Sequence, residues 1–195
     1  MSKKFSVSMS VYEKDNPIYF KEAINSVINQ SVKPSEIILV IDGPIPYKTK
    51  KIINELKIKY DFLKVIKIKK NMGHGNSRRV GLRNCKYDLV ALMDSDDISV
   101  YNRFEMQLKF LTKNPEIALV GGQIEEFIDK TSNIVSKRKV PIDDIQIKKF
   151  LKKRSPINQM TVMFYRSKIN KCGGYKDWYC NEDIYLWIRM SLMGL

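Results

Sequence analysis

The sequence predicts an α/β fold, a mostly parallel sheet flanked by helices, with residues 1–195 forming a single domain. Two patterns predict it. Short apolar runs alternate with amphipathic helical stretches through the first half of the chain, as in a parallel sheet covered by helices. One run, Val90-Ala91-Leu92-Met93, breaks off into Asp94-Ser95-Asp96-Asp97, three carboxylates within four residues. In open α/β sheets, ligands bind outside the carboxyl ends of the strands.

The elements follow in order. Phe5, Val7, Met9 and Val11 alternate with Ser6, Ser8 and Ser10, a first strand ending near Tyr12. Asn16-Pro17 supplies an N-cap and an N1 proline. Phe20, Ile24, Val27 and Ile28 then share one helical face. Glu36 to Ile41 reads as a buried parallel strand, closed by Asp42-Gly43-Pro44. A lysine-rich helix spans about Tyr47 to Tyr60, with Ile52, Ile53 and Leu56 inward, and Leu63 to Ile68 is a third strand. Asn71 to Asn76 is a loop, after which Ser77 caps a short helix to about Cys85. Leu89 to Met93 is the fourth strand. Beyond it come a helix marked by Phe104, Leu108 and Leu111, a short strand over 118–122, and a small antiparallel hairpin over 123–140. A helix over 142–153 and an apolar strand over 158–165 follow. After the turn at Gly173-Gly174, Asn181 caps a last helix with Glu182 and Asp183 in its first turn.

The strand ends converge on chemistry. Tyr12, Asp42 and Asp94 all follow strands, so they should line one crevice. Asp94 and Asp96 alternate along an extended chain and can point the same way. Such a pair offers hard oxygen ligands to Mg2+ or Mn2+, which raises the hypothesis of a cation holding a diphosphate. An Asp-rich solvated turn shows the same pattern, and the cluster alone does not separate the two.

Composition narrows the classes. With 44% hydrophobic and 29% charged residues, the chain is globular and not disordered. No purely apolar run is longer than Ile37 to Ile41, which is too short to span a bilayer, and no apolar h-region follows Lys3-Lys4. Three cysteines without CxxC spacing, Cys85, Cys172 and Cys180, point to reduced thiols and a cytoplasmic protein. A net charge of +14 attracts polyanions. The densest run, Lys148-Lys149 and Lys152-Lys153-Arg154, is compatible with a solvated helix face or with attraction to an anionic membrane surface. Dispersed lysine argues against nucleic acid as the partner.

Seven stretches in order resemble a known family: Val7-Ser8-Met9-Ser10-Val11-Tyr12; Ile24-Asn25-Ser26-Val27-Ile28-Asn29-Gln30-Ser31; Glu36-Ile37-Ile38-Leu39-Val40-Ile41-Asp42-Gly43; Asn71-Met72-Gly73; Asp94-Ser95-Asp96-Asp97; Gly173-Gly174-Tyr175; and Glu182-Asp183-Ile184-Tyr185-Leu186-Trp187-Ile188-Arg189. Together they resemble family 2 glycosyltransferases of GT-A (Rossmann-like) fold, of the kind that builds bacterial surface polysaccharides such as O-antigen and capsule. The resemblance implies an inverting, metal-dependent enzyme. It would move one hexosyl or N-acetylhexosaminyl unit from a nucleotide sugar, UDP-linked, to a lipid-linked or polysaccharide acceptor at the inner membrane face. Residues 1–97 would be the nucleotide-binding half. Residues 98–195 would be the acceptor half, shortened at its C-terminus relative to the family.

The same resemblance implies residue roles. Tyr12 and Asp42 would hold the base, with Ser10 close by. Asp94 and Ser95 would lie against ribose and phosphate, and Arg78 would reach the nucleotide. Asp96, assisted by Asp94, would hold the divalent cation (Mn2+ or Mg2+). Asp183 would be the catalytic base. The chemistry is coherent on its own: a cation stabilises the departing diphosphate, and an attacking hydroxyl needs a carboxylate within about 3 Å. A helix N-terminus favours the ionised form of Asp183, and charge complementarity alone would also place an acid there. Glu182 is expected as the cap-side acid. His74 is expected as a loop residue outside the mechanism. Trp178 and Tyr179 would either stack on an acceptor sugar or pack. Arg79, following Arg78, departs from the family pattern, as do Ile41 and Pro44. No Gln-x-x-Arg-Trp motif occurs, so transfer of a single sugar is expected.

Other classes fit less well. A sugar nucleotidylyltransferase needs a Gly-rich basic loop after its first strand, where this chain has Tyr12-Glu13-Lys14-Asp15. An aspartyl phosphatase carries its Asp-x-Asp after the first strand, not the fourth. A basic nucleic-acid-binding protein would show clustered arginines or exposed aromatics.

Overall fold

A computed structural model describes residues 3–195. Four parallel strands form one side of the sheet: β1 (Ser6–Val11), β2 (Glu36–Asp42), β3 (Leu63–Ile68) and β4 (Leu89–Met93). Two further strands extend it in the order β3-β2-β1-β4-β8-β5: β8 (Met163–Tyr165) runs antiparallel to β4, and β5 (Leu119–Val120) runs antiparallel to β8 and so in the direction of the first four. A separate hairpin, β6 (Ile124–Phe127) and β7 (Ile134–Arg138), stands apart from it. The expected mostly parallel sheet with a small hairpin is therefore present.

Helices cover both faces. On one lie α1 (Pro17–Ile28), α2 (Tyr47–Lys59) and α4 (Arg103–Lys113), packed on Val7, Met9, Ile37, Leu39, Ala91 and Met93. The other face carries α3 (His74–Asn84), α6 (Arg166–Lys171) and α7 (Glu182–Leu192), against Ile38, Val40, Val90, Leu92 and Phe164. α5 (Asp144–Phe150) sits beyond the hairpin and buries no residue fully. The alternation in β1 does not separate core from solvent, because Ser6 and Ser8 are buried too. The serines face α3, where small side chains let Gly81 approach Ser8 Oγ closely.

The chain runs outward from β1 to β2 and β3, then crosses back to β4 on the other side of β1. This reversal opens a crevice between β1 and β4 at their carboxyl ends. The register aligns it: Met9 pairs with Met93 and Val11 with Ile41. Ser10, Tyr12, Asp42 and Asp94 therefore emerge at one edge.

Several local expectations change. Asn16 caps α1 as expected, its Oδ1 accepting from Ile18 N at 2.9 Å. Ser77 does not cap α3, which already begins at His74; its buried hydroxyl has no partner among the described residues. Asn181 precedes α7 without a side-chain cap bond. The strand expected over 158–165 is extended only at Met163–Tyr165, because Gln159–Thr161 winds into a 3-10 turn. Helix α6 was not expected, and α5 is shorter than the span 142–153. Among the described residues, no helix is long and apolar enough to cross a membrane.

Candidate active site

Two guanidinium groups, one buried and one half-buried, fix the end of β4. Arg78, on α3, is 1% exposed; its Nη1 donates to Ser8 O (3.2 Å) and Met93 O (3.1 Å), and its Nη2 binds Asp94 Oδ1. From the opposite side, Arg103 Nη2 donates to Leu92 O (2.8 Å) and Val162 O (3.3 Å). Burial pulls the Arg103 pKa down to about 10, with Asp94 and Asp97 opposing that shift. The acidic loop thus rests on two inflexible cationic forks.

The carboxylates crowd above them. Burial lifts Asp97 to about 6, and the charges of Asp94 and Asp96 push the same way. Burial also raises Asp15, whose neighbours include Ser95, Asp96 and Asp94. Asp15 Oδ2 accepts from Tyr12 N at 2.9 Å, so the loop after β1 folds its own acid back toward the β4 cluster. Ser95 is buried, while Asp96 is exposed and makes no side-chain hydrogen bond or salt bridge among the described residues. No group of three or more His, Cys, Asp or Glu converges as a preformed metal cage among those residues. The donor set still fits a hard cation such as Mg2+, which binds through one or two carboxylates plus substrate phosphates. Unbalanced negative charge around Asp96 favours such an ion.

Asp42 is buried at the neighbouring strand end, where its Oδ1 accepts from Met72 N at 2.8 Å and ties β2 to the loop before α3. Tyr12 is partly exposed on the crevice rim, and Ser10 lies one residue beyond the Met9–Met93 pair. The residues expected to contact the nucleotide are thus brought together, with Arg78 beneath them.

The second half of the site comes from α7. His74 Nδ1 lies 2.8 Å from Glu182 Oε1, and His74 Nε2 lies 3.8 Å from Asp94 Oδ1. One expectation is corrected here. His74 is not in a loop, because it opens α3 between the acidic cluster and α7. Glu182 stands in the first turn of α7 as expected, but it is buried; burial raises its pKa, and hydrogen bonding led by His74 brings it below the usual carboxylate value. Asp183 is half-buried, with Oδ2 within 3.4 Å of Ser155 Oγ. Burial pushes its pKa up, and Glu182 adds to the shift. The helix N-terminus therefore does not hold Asp183 low. Desolvation wins, and a carboxylate so placed is a better base. Trp178 packs on Tyr185, ring centroids 4.5 Å apart, while Tyr179 is open to solvent.

Sequence reasoning missed Asp15, Arg103, His74 and Glu182 as members of this site. Asp15 and Arg103 could have been found by their distance from strand ends: each flanks a predicted crevice loop by a few residues. His74 and Glu182 left no such signal, since 108 residues separate them.

Comparison with known proteins agrees. The family model described as "Glycosyl transferase family 2" matches residues 6–174. A glycosyltransferase of Haemophilus influenzae described as uncharacterized is 42% identical over 192 residues, covering 98% of this chain and 71% of its own. A UDP-Gal:alpha-D-GlcNAc-diphosphoundecaprenol beta-1,3-galactosyltransferase of Escherichia coli is 38% identical over 191 residues, covering 98% and 69%. Among solved structures, a mannosyltransferase from Pyrobaculum calidifontis in complex with GDP-Man and Mn2+ superposes with TM-score 0.71 at 14% identity, covering 98% of this chain. The chain spans about half of that structure, 52%. A matched family model over most of the chain, on a sheet whose crevice carries the acidic loop at its switch point, makes this protein a member of glycosyl transferase family 2 with a GT-A fold.

Proposed function

We propose that the protein is an inverting, metal-dependent glycosyltransferase that moves one hexosyl or N-acetylhexosaminyl unit from a UDP-sugar to a lipid-linked acceptor of surface-polysaccharide assembly. The observation that carries this reading is His74, which stands between the acidic end of β4 and the first turn of α7. It brings the donor's diphosphate site and a half-buried carboxylate to opposite sides of one crevice.

Tyr12 and Asp42 hold the base with Ser10 close by, Asp94 and Ser95 lie against the ribose and phosphates, and Arg78 orients Asp94 from beneath. Asp96, with the free oxygen of Asp94, would hold Mn2+ or Mg2+, which when bound neutralises charge on the departing diphosphate. Asp183 takes the proton of the acceptor hydroxyl as that oxygen attacks the anomeric carbon from the face opposite UDP. Attack from that side inverts the anomeric centre. The resemblance to a UDP-Gal-dependent enzyme with a diphosphoundecaprenol acceptor supports this donor and acceptor class, and the GDP-Man and Mn2+ complex supports a cation in this fold. An acceptor of that class would be met at the inner membrane face, where a net charge of +14 favours anionic lipid.

Calorimetric titration of UDP with and without Mn2+ tests the cation site. Asp96→Ala should lose the metal-dependent part of the affinity. Equal, metal-independent binding by both proteins removes Asp96 as a ligand. The anomeric configuration of the product, read by NMR, tests inversion.

A further inference from the structure

A cavity of about 530 Å³ opens on the outer side of α3, away from the acidic loop. Arg79, Arg83 and Arg166 line it, together with the Gly173-Gly174 turn, and no carboxylate does. Arg79 and Arg83 are one helical turn apart on the same face, a like-charged pair that costs stability when uncompensated. Arg166 reaches in from the start of α6, its Nη1 also donating to Leu82 O at 3.3 Å. Two further cations stand behind the turn. Arg189 Nη2 donates to Gly174 O at 2.7 Å, and Lys176 Nζ lies 3.8 Å from where a Cβ of Gly173 would sit. None of these five cations belongs to a salt bridge among the described residues. The turn itself is stripped of side chains: Gly173 and Gly174 have φ of +81° and +65°, and a Cβ at Gly174 would meet only open space.

We propose that this cavity binds a diphosphate-bearing ligand at a site separate from the donor crevice, and that the ligand is the diphosphate of the acceptor. The second half of the proposal rests on the glycosyltransferase reading above. Guanidinium forks suit phosphate oxygens, and several forks around one concavity suit two linked phosphates better than a lone carboxylate. Only the Arg79 end of the cavity approaches the base. Arg79 follows His74 by five residues, about 7.5 Å along the helix axis at 1.5 Å per residue, whereas Arg83 and Arg166 lie toward the amino end of β4. The turn at Gly173-Gly174 leads through Lys176, whose carbonyl meets α3 at Gly75, toward Asp183. A sugar linked to a diphosphate held at the Arg79 end would extend along this segment toward the base. Arg79, which the family pattern does not account for, acquires a role.

The test uses the whole chain and inorganic pyrophosphate in metal-free buffer, followed by calorimetry. The wild type should bind pyrophosphate even when first saturated with UDP. Arg83→Glu should bind it at least about tenfold more weakly, since a charge-assisted bond to an ion contributes roughly 1.5–3 kcal/mol. Arg79→Gln should weaken it in the same direction. UDP affinity should be unchanged in Arg83→Glu, which also shows that the variant is folded. Equal pyrophosphate binding by wild type and both variants overturns the proposal, as does full competition by UDP. A wild type that binds pyrophosphate but no UDP keeps the site and removes the UDP-sugar reading of the donor crevice. Phosphatidylcholine vesicles carrying a polyprenyl diphosphate separate the sources. Recruitment that exceeds that by phosphatidylglycerol vesicles of equal charge, and is lost in Arg83→Glu, supports the lipid-linked acceptor. Pyrophosphate binding without such recruitment overturns the acceptor assignment and leaves a soluble diphosphate as the ligand.

Discussion

His74 Nδ1 stands 2.8 Å from Glu182 Oε1, across the seam where α3 meets α7. Glu182 is buried and its pKa is depressed, so its carboxylate accepts and Nδ1 carries the proton. The opposite ring nitrogen then faces Asp94 Oδ1 at 3.8 Å. One imidazole thus sets the spacing between the loop proposed to hold the donor and the turn proposed to hold the base.

Replacing it should separate binding from turnover. His74→Ala leaves a buried carboxylate without its main partner, and kcat should fall by about tenfold or more, the equivalent of roughly 1.5–3 kcal/mol for a hydrogen bond to a charged group. The KM for the donor should change far less, because Arg78 and Asp42 still build the nucleotide end. His74→Asn places an amide near the Nδ1 position and should recover part of kcat, whereas His74→Gln should not. Steady-state kinetics of the three variants decide it. Equal rescue by Asn and Gln would show that bulk alone matters.

The raised pKa of Asp183 gives a signed pH prediction. Burial raises it and the Ser155 hydrogen bond lowers it. Activity that needs the ionised base is lost as pH falls through this pKa, so the acid limb of kcat/KM should lie above the ~3.9 of an ordinary Asp. Ser155→Ala removes a contact that lowers the pKa, so the limb should move to higher pH. Asp183→Asn should bind UDP normally and fail to transfer. A limb that stays put or moves down in Ser155→Ala, or full transfer by Asp183→Asn, removes Asp183 as the base.

Much of this arrangement was legible beforehand, for local reasons. β2 and β4 announce themselves because each is a short apolar run closed by a charged or turn residue. Asp42 and Asp94 inherit their places from those strand ends. Contacts between distant segments were not legible. β8 joins the sheet antiparallel beside β4, but nothing in Met163–Tyr165 states which strand it will pair with. His74 looked like a loop residue because Gly73, with φ of +84°, reads as a turn, whereas it is the residue that launches α3. Glu182 is the helix-start acid the sequence indicates, but its bond to His74, 108 positions away, left no local signal.

Stability at the opposite end of the sheet should follow a different residue. Glu36, buried at the start of β2, accepts from Ser6 Oγ at 2.7 Å and from Lys64 Nζ at 2.8 Å, and also binds the Lys86 amide. Burial raises its pKa, but these bonds outweigh burial and the net shift is downward. A depressed folded-state pKa contributes stability above the unfolded value of ~4.3, and that contribution is lost as pH falls through the folded value. Glu36→Gln should therefore lower the unfolding free energy at neutral pH by about 1 kcal/mol. The deficit should shrink as both proteins are acidified. Activity per folded molecule should not change, since Glu36 lies at the amino ends of the strands. Urea unfolding of both proteins from pH 7 downward tests this; a deficit that is constant with pH would assign the effect to packing.

Gly75 makes the seam between α3 and α7 tight enough for the His74 bond to form. A Cβ there would sit 2.7 Å from Lys176 O and 3.1 Å from Glu182 Cβ. The first neighbour is backbone and cannot rotate away, so Gly75→Ala must push the segment before α7 outward. Overpacking of this kind costs roughly 1–3 kcal/mol. Gly81→Ala is the useful contrast, because its new methyl meets the Ser8 hydroxyl, which can turn. Both variants should lose some thermal stability, but Gly75→Ala should lose transfer out of proportion to UDP affinity. The displacement lengthens the His74–Glu182 contact and withdraws Asp183 from the crevice while leaving Arg78, Asp42 and Asp96 in place. If Gly75→Ala retained wild-type turnover at a temperature where it is fully folded, the spacing of α3 and α7 would not control the position of the base.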